Sequence, residues 1–100
     1  MAAKSLRQTD EFRDWFRRLR DERAKARIIA RIRRMEFGNP GDTRSLSGGL
    51  TEMRIDYGPG YRIYFVHHST SILLLLCGGD KRTQQRDIIR ARELMEELEE

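Results

Sequence analysis

Apolar residues in this chain recur in steps of three and four before residue 40, in steps of two between residues 51 and 65, and in steps of three and four again beyond residue 84. No single kind of secondary structure satisfies both spacings, so the chain must combine helices with a sheet. Asp10 and Glu11 open a helix on which Phe12, Trp15, Phe16 and Leu19 share one stripe. Asp21 caps a second helix, in which Ala24, Ile28, Ile32 and Met35 repeat the pattern until Gly38, Asn39, Pro40 and Gly41 stop it. Two amphipathic helices so closely joined form an αα-hairpin.

From Thr51 onward Met53, Ile55 and Tyr57 alternate with Glu52, Arg54 and Asp56, which predicts a strand with one buried face. Gly58, Pro59 and Gly60 turn the chain into a strand over Tyr61 to His67, with Ile63 and Phe65 on one side and Arg62 and Tyr64 on the other. After a turn at His68 to Thr70, Ser71 to Cys77 is apolar on both faces, as interior strands are. Gly78 and Gly79 then break the strand, and Asp80 or Thr83 caps a last helix with Ile88, Ala91, Met95 and Leu98 on one face. Ser5 to Gln8 is a candidate for a short extra strand. The expected order is (β)ααβββα, an α+β fold with the helical hairpin and the C-terminal helix on one side of a small antiparallel sheet, leaving the other side partly open. One domain spanning residues 1–100 is expected from a length of 100 residues.

Charge narrows the function. The last eight residues hold five acids and no base, so the first 92 carry twenty bases against eleven acids, and seventeen of those bases are arginine. Arginine grips phosphate through a planar fork of donors, which favours a polyanionic partner, although a solvated arginine-rich surface satisfies the same count. The longest apolar run, Ile72 to Cys77, is far shorter than the roughly 20 residues of a membrane span. The early residues lack the apolar stretch of a secretory signal, and a lone Cys77 excludes an internal disulfide. A cytoplasmic protein that does not engage membranes is expected.

No phosphate-binding glycine loop of the nucleotide-fuelled enzymes is present, since GGDK lacks the required spacing. His67 and His68 are adjacent on a strand and point to opposite faces, so no metal or other cofactor is implied. Glu52, Arg54, Arg62 and Tyr64 fall on the polar side of neighbouring strands, and Lys81 follows the glycine pair where it can reach the same patch. A salt-bridged cross-strand ladder explains these residues as well as a catalytic patch does. Catalysis there has a coherent form: RNA is cut when its own 2′-OH attacks the adjacent phosphate, arginines stabilise the phosphorane, and Glu52, Tyr64 or Lys81 moves protons. Arg82, Arg86 and Arg90 load the start of the last helix with charge opposed to its dipole, which suits either a phosphate site or local pairing such as Arg92 with Glu96.

The segments EMRIDYGPGYRIYF and CGGDKRTQQRDI, preceded by TDEFRDWFRRLRD and RIIARIRRMEFGNPGD, resemble the RelE/ParE superfamily of bacterial toxins, within it the HigB-like addiction module killer protein group. The resemblance implies a microbial-ribonuclease fold and a type II toxin that cleaves mRNA on the ribosome. It also implies a cognate antitoxin, often a helix-turn-helix DNA-binding protein, through which alone DNA would be contacted. By that likeness Arg54 and Arg62 bind the scissile phosphate and Lys81 gives electrostatic or proton-transfer help. Gln84 of the GGDK-x-x-Q segment, Arg82, Arg86 and Arg90 are the expected nucleic-acid contacts, Arg82 and Arg86 holding flanking RNA or ribosomal RNA. Several such interferases carry a tyrosine or histidine near the chain end, whereas residues 88–100 here hold neither, which leaves Tyr64 and Glu52 as geometric substitutes. The superfamily also implies two alternatives: a ParE-type toxin that binds DNA gyrase without RNA chemistry, and a detoxified regulatory partner of an antitoxin.

Overall fold

A computed structural model describes residues 4–98. Strand β1 (Ser5–Gln8) leads into helices α1 (Asp10–Arg18) and α2 (Glu22–Glu36). Strands β2 (Thr43–Ser45), β3 (Leu50–Ile55), β4 (Tyr61–Ser69) and β5 (Ile72–Asp80) follow, and helix α3 (Gln84–Leu98) comes last. The side chain of Thr9 caps α1 by accepting from the amide of Phe12, and Asp21 caps α2 by accepting from the amides of Arg23 and Ala24. The five strands lie in the order β1-β5-β4-β3-β2, with β1 parallel to β5 and every other pair antiparallel.

The α+β class and the order of the expected elements agree with the sequence, and four details differ. The sheet is mixed, because the Ser5–Gln8 strand pairs in parallel with β5, and it gains β2, too short at three residues to show a period. Gly78 and Gly79 continue β5 instead of ending it. The helices also occupy both sides of the sheet. Phe12, Ile28, Ile32 and Met35 from α1 and α2 pack on Met53, Ile63, Phe65 and Leu75, while Ala91 and Leu94 of α3 pack on Leu50, Tyr64, Val66, Leu74 and Leu76. The face expected to be open is therefore covered over much of its length by α3. A strand apolar on both sides, as β5 is with Leu73 and Leu75 against Leu74 and Leu76, requires such a second cover.

The glycine pair makes that sandwich possible. A register shift in β5 next to Tyr64 puts Leu76 and Cys77 into the same core, so Gly78 faces α1 and Gly79 faces α3. The Trp15 ring lies where a side chain on Gly78 would be, and the Asp87 carboxylate lies where one on Gly79 would be. Replacing either glycine by alanine should destabilise the fold by about 1–3 kcal/mol through overpacking, read as a lower urea midpoint. An unchanged midpoint in Gly79→Ala would refute this account of the pair.

Candidate functional site

The face beneath α3 is built in cross-strand rows that grade from apolar to cationic. Leu50 pairs with Val66, then Glu52 with Tyr64, then Arg54 with Arg62. Arg44 stands beside Glu52 on β2, and Gly79 beside Arg62 on β5. Helix α3 covers the first two rows and meets the third only at Gly79, through Asp87, leaving the two arginines uncovered.

Glu52 and Tyr64 are each 0% exposed. The Tyr64 hydroxyl donates to Glu52 Oε2 at 3.1 Å, and Gln84 Nε2 donates to the same oxygen at 2.7 Å. Arg44 Nη2 lies 3.8 Å from Glu52 Oε1. Burial, reinforced by the charge of Glu52 and the hydrogen bond to it, pushes the Tyr64 phenol well above its usual range, so it stays protonated. The polar patch expected from the sequence is thus divided: Glu52 and Tyr64 form a sealed network under α3, out of reach of solvent, while Arg54 and Arg62 remain outside it.

Arg54 and Arg62 face each other directly, an arrangement that costs stability between like charges. Arg54 Nη2 pairs with Asp42 Oδ1 at 2.9 Å. Arg62 has no carboxylate among the described residues and donates only at 3.4 Å to the carbonyls of Gly60 and Tyr61. The Nε atoms of both arginines are buried without a hydrogen-bond partner among the described residues. With Lys81, Asp42, Asp56 and Gly60 the two arginines line a cleft of 280 Å³. Gly58 and Gly60, with φ of 57° and 81°, shape the turn that brings Arg62 to the rim.

A second pocket of 420 Å³, lined by residues 81–86, joins the cleft at Lys81. It holds Arg82, Gln84 and Arg86, which sequence reasoning assigned to RNA contact. Arg82 is bound to Asp80, whose carboxyl it holds below the usual range, and Arg86 Nε is 3.8 Å from Asp87. Both guanidinium groups are largely exposed. Arg90 is placed elsewhere, because Glu11 takes it in a fork at 2.8 and 2.9 Å and Glu93 at 3.0 Å, tying α1 to α3. The alternative of a local Arg92–Glu96 pair gives way to bonds from Arg92 to Ser47.

Two contributors escaped the sequence reading. Asp56 enters the cleft with no ion pair among the described residues. Arg31 of α2 donates to the carbonyls of Arg54, Pro40 and Asp42 at 2.7 to 3.1 Å and so fixes the Asp42 loop against β3. No pattern in a basic helix marks which arginine turns inward.

Residues 14–96, which include every residue of this cleft, match the family described as phage derived protein Gp49-like (DUF891). The chain belongs to the Gp49-like family. An uncharacterized protein of Haemophilus influenzae is similar to it, 47% identical over 93 residues that make up 93% of this chain and 94% of that one. The Gp49-like family is associated with RelE-like addiction-module toxins, which agrees with the α+β architecture. No helix among the described residues is long and apolar enough to cross a membrane.

Two measurements test the electrostatics of this Gp49-like domain. Burial pushes the Cys77 thiol up to about 12, with the charge of Asp87 adding to it, so a disulfide reagent should leave the native protein unmodified near pH 8 and label one thiol after denaturation. Burial likewise raises the Asp87 carboxyl, outweighing the bond it accepts from Thr83. Its contribution to stability is full below the unfolded carboxyl range and is lost as pH rises through the raised folded value. Asp87→Asn should therefore gain stability relative to wild type between pH 4 and pH 7 in urea titrations, and a difference that stays constant with pH would refute the assignment.

Proposed function

We propose that this Gp49-like protein is the toxin of a type II toxin–antitoxin pair, of the HigB-like kind, and that it cuts mRNA at the ribosome in the cytoplasm. The supporting observation is the opposed Arg54 and Arg62 pair, of which only Arg54 is ion-paired among the described residues, and which opens with Lys81 and Asp56 into a single cleft. Such an arrangement is costly for the free protein and is relieved by a bound anion, which is the signature of a phosphate site.

In this reading the RNA 2′-oxygen forms a bond to the adjacent phosphorus while the bond from phosphorus to the 5′-oxygen breaks, leaving a 2′,3′-cyclic phosphate and a 5′-hydroxyl. Arg62 and Arg54 hold the phosphorane charge, and Asp56 accepts the proton of the 2′-OH. Lys81 supplies a proton or a hydrogen bond to the departing oxygen. Arg82 and Arg86 meet the flanking strand. The partner that silences the toxin is an antitoxin, with helix-turn-helix DNA-binding character by resemblance.

A second reading is favoured by a cleft whose lining among the described residues is arginine, lysine, aspartate and glycine, without histidine or tyrosine: a ParE-type toxin that binds DNA gyrase and cuts nothing. Mapping RNA 5′ ends after brief induction separates the two. Cuts within codons, reduced by roughly 100- to 1000-fold in Arg62→Ala together with growth arrest, are the expected result. Intact RNA beside undiminished toxicity in Arg62→Ala, or induced DNA damage, would overturn the ribonuclease reading.

A further inference from the structure

The cationic cleft meets groups that every nucleotide carries alike, so any choice among bases must be made by a neighbouring residue. Gln84 lies in the adjoining pocket, one helical turn beyond Lys81, at the first residue of α3. Its Nε2 is committed to Glu52 Oε2 at 2.7 Å. A carboxylate accepts and does not donate, so turning the amide over would set oxygen against oxygen in a buried site. Tyr64, donating to the same oxygen at 3.1 Å, holds Glu52 in place. Gln84 Oε1 is then left without a hydrogen-bond partner among the described residues, on a half-buried side chain that lines the pocket. A free glutamine can turn over to present its oxygen or its amide nitrogen at a given place, whereas this one, with one N–H of Nε2 given to Glu52, holds Oε1 as an acceptor in a fixed place.

We propose that Gln84 is a base-reading residue whose fixed acceptor selects nucleobases that present an amino group and disfavours uracil, whose edge presents carbonyl oxygens on either side of its N–H. The inference rests on the RNA reading of the cleft given above. Cytosine and uracil are the decisive pair, because they share size and stacking and carry donor and acceptor in opposite order on the same edge, amino against oxo at position 4 and a bare N3 against an N3–H. In this scheme Glu52 is a positioning residue, and its burial serves to point an amide.

The test is affinity of the full chain for 2′-O-methylated tetranucleotides of cytosine and of uracil, which cannot be cut, at one fixed salt concentration. Wild type should bind the cytosine oligonucleotide about five- to tenfold more tightly, the range expected for one hydrogen bond. Glu52→Gln supplies an amide that can donate to Gln84 Oε1 and so reverse it, and it should bring the two affinities within about twofold. Gln84→Ala should remove the preference also, and it serves if the buried substitution unfolds the protein. Equal affinities in wild type, or a preference that survives both substitutions, overturn the assignment of Gln84 alone. Absence of binding to either oligonucleotide, with Arg62→Ala behaving as wild type does, overturns the RNA reading of the cleft as well.

Discussion

How closely α3 approaches the sheet decides what the rest of the molecule can present. That approach depends on two consecutive residues of β5 having no side chains, since Trp15 fills the space on one face and Asp87 the space on the other. With α3 seated there, the Glu52 and Tyr64 row is sealed and the Arg54 and Arg62 row is left beyond the helix start. The division between a buried polar network and an exposed cationic cleft follows from where one helix begins on the sheet.

Much of the architecture could be read from residue spacing because it rests on local patterns. The stripes of α1 and α2, the Asp21 cap and the alternation of β3 and β4 each report a burial choice made within a few residues. What could not be read was long-range. Three residues of β2 carry no period, the parallel pairing of β1 joins segments far apart in sequence, and a glycine pair looks alike whether it ends a strand or admits neighbours. The cleft was legible in part for the same reason. Arg54 and Arg62 follow from strand alternation, whereas the burial of Glu52 and Tyr64 depends on α3, and the roles of Asp56, Arg31 and Arg90 depend on contacts between separate elements.

Arginine is the commonest charged residue of this chain, yet its copies do different work. Arg90 joins two helices, Arg31 fastens a loop, Arg92 holds a turn, and Arg62 meets no carboxylate among the described residues. Surface ion pairs add little stability individually, about 1 kcal/mol or less. The informative arginines are those whose pairing is incomplete in a partly enclosed site.

The three bonds from Arg31 to the Asp42 loop and β3 settle more than local order. They hold the loop where the Asp42 carboxylate pairs with Arg54, so one guanidinium of the pair is partly neutralised while Arg62 has no carboxylate among the described residues. The cleft is therefore lopsided, with its positive pole displaced toward Arg62 and Lys81. An elongated anion entering it would meet unequal ends, so the cleft itself distinguishes one direction from its reverse.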